Sequence, residues 1–331
     1  MSQLAKQIIQ RHFVADHALG FEPEIESSNK WSVVRSYKEQ GVNHLSLSLA
    51  TDMTSMSNTM HHIASVRRYL MDHSGDYQIV STYDDFKRAS SSGKLAISFL
   101  FQGVAPIHKD LDMIDVYKQL GVMSMLLSYN IQNEIGSGCT ESHDAGLSRF
   151  GERVVQRMNA VGMLIDVSHA GEKTSLDILE ASSKPVIFSH SNVNSIYHHP
   201  RNLTDQQIQA CARSGGFIGV NGNGPLLGDH QAPVGKLVDH IDYIVDLAGI
   251  DHVALGTDHV YFQDIFDQFM KKNAVIYPAN YNVPEKHAWH SIAPNQLAEI
   301  VDELLKRNYQ ETDIAKIIGG NSMRVYQSLF S

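Results

Sequence analysis

Two apolar runs in the sequence each close with Ser-His, and their histidines could bind a metal ion together. The runs are MLIDVSH, which ends at His169, and PVIFSH, which ends at His190. A helical pattern over about 172–181 separates them, which is typical of a βαβ unit with parallel, buried strands. Since parallel strands end at the same edge of a sheet, we expect the imidazoles side by side, either as metal ligands or as hydrogen-bonded caps of their strands.

Polar side chains close other predicted strands as well. In chain order they are His17, Gln102, Tyr129, Asn221 and Asp258. If the strands form one barrel, their carboxyl ends make up its active-site face. We therefore predict that these side chains converge there with His169 and His190. Asp258, in the motif LGTD, could take the proton of a metal-bound water, although capping of the next loop is the structural alternative.

Arg201 is a candidate for recognition of a substrate. It stands in HHPRN, in the loop after the strand that carries His190. Its guanidinium could bind a substrate carboxylate through two parallel hydrogen bonds. A structural Arg–Asp pair is the alternative role for this side chain.

Eight strand-like runs recur along the chain, with helical patterns between them. The runs cover 12–17, 43–50, 95–102, 122–130, 163–169, 185–191, 216–222 and 252–258. The helix after the sixth run should open with a capping box formed by Thr204 and Gln207. Parallel-type strands alternating with helices predict a (β/α)8 TIM-like barrel. Because there is no low-complexity linker or break in composition, we predict one domain over residues 1–331.

An aromatic segment follows the eighth predicted strand. It covers 261–294 and carries seven aromatic side chains, including Tyr277, Tyr281 and Trp289. A loop of this length in a compact domain usually has a function. We expect either a lid or pocket wall at the barrel mouth or a contact with a second copy of the chain, since a homodimer is open. Two closing helices should fill 295–330.

Composition limits the class of protein. The chain has 331 residues, a formal net charge of −9 and a pI near 6.0, which argues against nucleic acid or an anionic membrane as the main partner. The first residues lack the apolar core of a signal peptide, and no run approaches a membrane span. Cys139 and Cys211 form no recognisable framework. These features predict a cytoplasmic protein.

Several long motifs resemble those of one enzyme family. They are GLSRFGERVVQRMNAVGMLIDVSH, PVIFSHSN, HPRNLTD, HVALGTD and GGNSMRVY, and the likeness runs from about residue 80 to the end of the chain. The sequence is similar to the membrane (renal-type) dipeptidases, peptidase family M19 of the amidohydrolase superfamily. The resemblance implies a barrel with a two-zinc site that hydrolyses dipeptides. It assigns His169 and His190 to one zinc, Arg201 to the substrate carboxylate and Asp258 to acid–base chemistry.

The sequence departs from the family pattern at three positions. The family's first strand ends in His-x-Asp, but here it reads His17-Ala18-Leu19; Gln102 stands where a bridging Glu is usual, and Tyr129 where a His is usual. A neutral amide is a weaker ligand for a dication than a carboxylate. We therefore expect at most one tightly bound zinc, held by His169 and His190 with Gln102 as a further oxygen. The other site, with only His17 and Gln102, should stay empty.

These observations lead to a hypothesis with one rival. The preferred function is hydrolysis of an amide bond in a small, dipeptide-like substrate that bears a carboxylate. Asp258 would move the proton, Tyr129 would steady the oxyanion, and Arg201 and Asn221 would help to bind the substrate. The rival is a metal-depleted barrel that binds a small ligand, or that performs non-hydrolytic acid–base chemistry with Asp258 and Tyr129.

Overall fold

Eight parallel strands, buried along their lengths, form a barrel with helices outside it. The computed structural model describes residues 2–23, 29–278, 281 and 289–329. The barrel strands are β1 (Ala15–Gly20), β2 (His44–Thr51), β4 (Leu95–Gln102), β5 (Val122–Leu126), β6 (Leu164–Asp166), β7 (Val186–Ser191), β8 (Ile218–Val220) and β9 (Val253–Leu255). A ninth, short strand, β3 (Tyr77–Ile79), pairs with β4 outside this order. Every pairing is parallel, in the order β1-β2-β4-β5-β6-β7-β8-β9. The predicted barrel is confirmed.

Helices occupy the connections. They are α1 (Gln3–Arg11), α2 (Lys30–Glu39), α3 (Met56–Asp72), α4 (Tyr83–Ser91), α5 (Asp112–Gln119), α6 (Arg149–Val161), α7 (Glu172–Ala181), α8 (Asp205–Arg213), α9 (Gly224–Leu227), α10 (Val234–Ala248), α11 (Gln263–Lys272), α12 (Leu297–Lys306), α13 (Glu311–Ala315) and α14 (Asn321–Leu329). The capping box of α8 is confirmed, with Gln207 N donating to Thr204 Oγ1 and Thr204 N donating to Gln207 Oε1. In the described part of the chain, no helix combines the length and apolar character that crossing a membrane requires.

Two differences from the predicted strands have local causes. β1 begins and ends three residues later than the predicted run, at Ala15 and Gly20. The short β3 was not predicted; it pairs with the first half of β4, before β5 takes over from Phe99 onward. Both boundaries depend on which neighbour supplies the hydrogen bonds, and periodicity within one segment does not contain that information.

A buried carboxylate links the last strand to the first. Asp16 of β1 accepts a hydrogen bond from Thr257 N at 3.0 Å through Oδ1, and the Thr257 hydroxyl donates to its Oδ2. One residue further on, Asp258 N donates to Ala18 O at 3.1 Å. These contacts join the segment after β9 to β1, so Asp16 faces this junction.

The amino ends of the strands are filled by a layer of apolar side chains. It includes Met123, Leu164 and Phe217, and α14 covers it with Val325 and Tyr326. A packed layer here is expected, because the interior of such a barrel is a core and not a pore. The opposite, carboxyl ends of the strands therefore remain as the face that can hold a site.

Asp16→Asn should flatten the dependence of stability on pH. Burial raises the pKa of Asp16 to about 6, although its Thr257 and Ala18 donors act in the other direction. Between pH 4 and 6 the folded chain then binds more protons than the unfolded chain, so the free energy of unfolding falls as the pH rises through this window. The difference from the ordinary pKa corresponds to roughly 3 kcal/mol.

Urea unfolding at pH 4, 5, 6 and 7 measures this effect. Asp16→Asn should lose most of the decline between pH 4 and 6, and the exposed Asp72→Asn variant should keep it. Parallel curves for wild type and Asp16→Asn would contradict the assignment.

Candidate active site

The carboxyl ends of the strands open into a pocket of about 830 Å³, part of which is continuous with solvent. Five side chains predicted from the sequence line it, and they are Gln102, Tyr129, His169, Arg201 and Asp258. His190 lies directly behind His169, with 2.9 Å between their Nε2 atoms. The structure thus brings these six residues together: five were expected from their positions at strand ends, and Arg201 from the loop after β7.

The two histidines form a buried pair. The exposed fraction is 4% for His169 and 0% for His190. Burial lowers the pKa of both imidazoles well below the ordinary value, and the nearby positive charge of Arg201 lowers both further. Both rings are therefore neutral at physiological pH, and each has one protonated and one bare nitrogen.

Hydrogen bonds to the other ring nitrogens decide which nitrogen is bare. Asn130 Oδ1 lies 2.7 Å from His169 Nδ1, and an amide oxygen can only accept, so this Nδ1 carries the hydrogen. Ser189 Oγ lies 2.7 Å from His190 Nδ1. The same hydroxyl donates to Asp166 Oδ2, so it accepts from the imidazole. Both Nε2 atoms are then bare and point their lone pairs at each other.

Two facing lone pairs at hydrogen-bond distance repel each other unless a positive centre lies between or beside them. An extra proton is disfavoured because burial and Arg201 lower both pKa values. A divalent cation resolves the repulsion, since neutral imidazole nitrogens are good ligands for it. Within the described ranges, no cluster of three His, Cys, Asp or Glu side chains suited to a metal is found. The pair therefore fits one ion, with the amide oxygen of Gln102, which also lines the pocket, as an additional donor.

Arg201 is buried beside this pair, and it forms no ion pair with a carboxylate in the described part of the chain. Its Nη2 donates to His190 O at 2.8 Å, and its Nη1 donates to Ser168 O and to Ser191 Oγ. Its Nε has no acceptor among the described residues. The Arg201 side chain also lines the pocket. Its Nη atoms are bonded to strand-end carbonyls, and its Nε–H group is not used by the described residues.

Asp258 lies where the segment after β9 meets β1. Two side-chain amides donate hydrogen bonds to its carboxyl group. Asn223 Nδ2 donates to its Oδ2 at 2.9 Å and Asn221 Nδ2 at 3.3 Å. Its backbone is in the left-handed region, with φ of 50°, which Asp tolerates better than most residues. Burial raises the pKa of Asp258, while Arg201 and the two amides act in the opposite direction. A carboxyl with a raised pKa is suited to carrying a proton.

Asn221, predicted to bind substrate, supports Asp258 instead of lining the pocket. It is fully buried, and its Oδ1 accepts from Asn223 N at 2.7 Å. Asn223 is the one of the two that lines the pocket, and its Oδ1 accepts from Trp289 Nε1 at 3.0 Å. The sequence prediction thus named Asn221, but the side chain that lines the cavity is Asn223, two residues later.

Tyr129 packs against the histidine pair. Its ring stacks on that of His169, with centroids 4.1 Å apart, and its hydroxyl lies 2.5 Å from that of Tyr277. Burial raises the pKa of Tyr129 well above the ordinary value. The phenol therefore stays protonated and can donate a hydrogen bond at any physiological pH.

His17 does not join the pocket. It lies in the layer at the amino ends of the strands, where its ring packs 4.7 Å from that of Phe217 and 6.0 Å from that of Tyr326. The reason is that β1 continues to Gly20, so His17 is near the start of the strand and not at its end. The structure therefore gives no support to His17 as a metal ligand.

Four polar residues of the pocket were not singled out from the sequence. They are Glu22, Thr51, Asn223 and His259. Thr51 ends β2, so its strand-end position was available as a signal. Glu22 follows β1, and it would have been found had the end of that strand been placed at Gly20. His259 directly follows Asp258, and its Nδ1 lies 2.9 Å from Ser291 Oγ.

The aromatic segment forms much of the pocket wall. All seven of its aromatic side chains line the cavity: Tyr261, Phe262, Phe266, Phe269, Tyr277, Tyr281 and Trp289. Part of the segment is the helix α11, while 279–280 and 282–288 lie outside the described residues. A pocket wall is therefore one function of the segment, and the predicted alternative of a contact between two copies remains a prediction.

Comparison with known proteins agrees with this geometry. A curated relative, an uncharacterized dipeptidase from Schizosaccharomyces pombe, is 31% identical over 224 residues, which is 65% of this chain and 54% of that protein. The alignment thus spans about half of that relative's length. A crystal structure of an amidohydrolase from Pseudomonas aeruginosa has a TM-score of 0.87 and 25% identity, covering 98% of this chain and 99% of that one.

A further solved structure has the same fold. It is a metallo peptidase from Rhodobacter sphaeroides with a bound phosphinate mimic of the dipeptide L-Ala-D-Ala, with a TM-score of 0.78 and 17% identity, over 96% of this chain and 99% of that one. The family model of the membrane dipeptidases matches residues 31–271, more than half of the sequence and including every pocket residue named above from Thr51 to His259. On this match the chain belongs to the membrane dipeptidase family, peptidase family M19.

Proposed function

We propose that the protein is a dipeptidase-like hydrolase that cleaves an amide bond in a small substrate bearing a carboxylate. The observation that carries the proposal is the meeting, in one pocket, of a bare imidazole pair, a carboxyl with a raised pKa and a buried guanidinium. These are the groups that amide hydrolysis needs to bind a cation, to move a proton and to hold the charged end of a substrate.

Metal dependence is part of this proposal. His169 and His190 would hold one divalent ion through their Nε2 atoms, with Gln102 as a further oxygen donor. An ion bound there would supply Lewis-acid polarisation and acidify a water. Zinc fits the imidazole ligands. Because this set of ligands contains no third protein group with a negative charge, we expect the ion to bind weakly.

Asp258 is proposed to carry the proton. Its Oδ2 is engaged by Asn221 and Asn223, which leaves Oδ1 to accept the proton of the attacking water. The carboxyl then returns this proton to the amide nitrogen as the carbon–nitrogen bond breaks, so the leaving amine departs neutral and the new carboxyl keeps the water oxygen. The raised pKa of Asp258 makes both transfers accessible.

Tyr129 and Arg201 are proposed to hold the substrate. The Tyr129 phenol, kept protonated by burial, can donate to the oxygen of the scissile carbonyl as negative charge develops on it. Arg201 would bind the terminal carboxylate through its unused Nε. A dipeptide has both groups, and the structural relative with a dipeptide mimic is in keeping with such a substrate.

The rival is a barrel that binds a small ligand without hydrolysing it. The observation in its favour is that the described residues contain no cluster of three His, Cys, Asp or Glu side chains suited to a metal. Amide hydrolysis by protein purified with its native metal content distinguishes the two proposals.

Metal content is the first test. Because one neutral imidazole pair and a neutral amide offer little charge to two dications, protein purified without chelator should contain at most one tightly bound divalent ion per chain by elemental analysis. Gln102→Glu adds a carboxylate to the pocket and should raise the occupancy. The exposed Gln206→Glu adds the same charge elsewhere and should not. Two ions per chain near full occupancy in the wild type would refute the single-ion proposal.

Arg201→Met should weaken a carboxylate ligand selectively. Hydrogen bonds to charged groups contribute roughly 1.5–3 kcal/mol, and a decade corresponds to about 1.4 kcal/mol. We therefore expect kcat/KM for an acid substrate to fall by roughly one to two decades, and that for its C-terminal amide to change little. The melting temperature should also drop, since the carbonyls of Ser168 and His190 lose donors. Equal losses for acid and amide, assayed below the melting temperature, would leave Arg201 only its structural role.

Asn223→Ala should shift the acid limb of the pH profile upward. The amide of Asn223 favours the charged form of Asp258, so its removal raises the pKa of that carboxyl further. A base must be deprotonated to act, so kcat should begin to rise at a higher pH than in the wild type. Asn58→Ala, an exposed site outside the pocket, is the control. An unchanged acid limb would mean that Asp258 is not the group whose ionisation the profile reports.

A further inference from the structure

One helix of the pocket carries an apolar stripe that is only partly covered by other side chains. Phe262, Ile265, Phe266 and Phe269, which we term the aromatic wall, recur at helical spacing along α11 and all line the pocket. Each is only half-buried, and Met270 is the buried residue of this helix. The apolar side of a helix normally packs against a core. Here Phe266 and Phe269 contact Trp289 and Tyr277, and the rest of the stripe faces the cavity.

The other aromatic residues of the segment also present carbon to the cavity. Their polar atoms already have partners in the protein: Tyr261 Oη donates to Gly20 O at 2.6 Å, Tyr277 Oη lies 2.5 Å from Tyr129 Oη, and Trp289 Nε1 donates to Asn223 Oδ1. Tyr281 is hydrogen-bonded to Asn130. Ring faces and edges therefore remain for a ligand, and such surfaces favour apolar groups.

Polar and apolar groups are thus separated in this pocket. The polar groups, His169, Arg201 and Asp258 among them, come from strand ends and the loops that follow them, whereas most of the apolar surface comes from one segment after β9. The pocket is continuous with solvent on the side where the apolar segment lies, so a substrate side chain can reach that surface. Water in contact with the aromatic wall is unfavourable, so an apolar group that displaces it gains binding energy.

We propose that the aromatic wall is the subsite for a large apolar side chain, and that the substrates are dipeptides with one aromatic or large aliphatic residue. The inference rests on the proposed dipeptidase function and specifies its substrate class. It does not depend on which of the two residues carries the bulky side chain, because the test below examines both positions.

Substrate series test the proposal directly. The kcat/KM values of Phe-Gly, Gly-Phe, Leu-Gly and Gly-Leu are compared with that of Gly-Gly. Burial of such a side chain corresponds to about tenfold to a hundredfold, so at least one Phe dipeptide and its Leu counterpart should exceed Gly-Gly by that factor. Equal values, or a preference for Gly-Gly, would overturn the proposal.

Variants of α11 test whether the aromatic wall causes the preference for a bulky substrate side chain. Phe266→Ala should lower the ratio of the preferred Phe dipeptide to Gly-Gly by about tenfold, because it removes ring surface that only the bulky substrate contacts. Phe269→Leu, which keeps an apolar side chain of similar length, guards against loss of folding and should lower the ratio less. Gln268→Ala, on the exposed side of α11, is the matched control and should leave the ratio unchanged. An equal loss for both substrates in Phe266→Ala would exclude a side-chain subsite.

Binding separates this inference from the function on which it rests. Calorimetry with two phosphinate dipeptide mimics, one with a benzyl and one with a methyl side chain, needs no hydrolysis. No turnover of any dipeptide, together with tighter binding of the benzyl mimic that Phe266→Ala abolishes, would reject the hydrolase but keep the apolar subsite. Turnover with equal binding of both mimics would keep the hydrolase and reject the subsite.

Discussion

A single buried carboxylate, Asp166, holds the centre of the site in place. At the end of β6 it accepts hydrogen bonds from the backbone N–H groups of Ser168 and Ser189, at 3.0 Å and 3.1 Å, and from both hydroxyls. Burial raises the pKa of Asp166, and the donors on Ser168 and Ser189 act in the other direction. A carboxyl group with no exposed surface is tolerated only when donors replace its water. These four bonds do so, and in the same arrangement they tie β6 to β7 and fix the proton on His190.

The electrostatics of the pocket follow from burial. Burial raises the pKa of Asp258 and lowers that of the two histidines, so each group is moved toward its neutral form. The positive charge of Arg201 has no partner carboxylate within ion-pair distance in the described part of the chain, and backbone carbonyls solvate it instead. In the proposed function, a cation at the imidazole pair and a substrate carboxylate at the guanidinium would supply the charges that this site lacks.

The polar and the apolar surfaces of the pocket come from different parts of the chain. Strand ends supply the polar groups, and their positions are fixed by the sheet. The aromatic segment supplies the opposite surface and also touches the supports of the polar groups, since Trp289 bonds to Asn223 and Tyr281 O lies 2.9 Å from His199 Nε2. Because His199 Nδ1 in turn accepts from Arg201 N, the described part of the segment contacts residues that support both Asp258 and Arg201.

The sequence alone determined the barrel and most of its site, because the relevant signals are local. Apolar runs of strand length identify buried parallel strands, and the residue that ends such a run must lie at the carboxyl edge; this is how His169, His190, Gln102, Tyr129 and Asp258 were found. Tertiary structure decided what depends on pairing between distant segments. The register of β1 against β2 moves His17 into the core and brings Glu22 to the pocket. Hydrogen bonds to Asp258 and to Asn223 N hold Asn221 in the interior, and Asn223 lines the pocket. A shift of a few residues at a strand end changes neither composition nor periodicity, but it decides which side chain reaches the cavity.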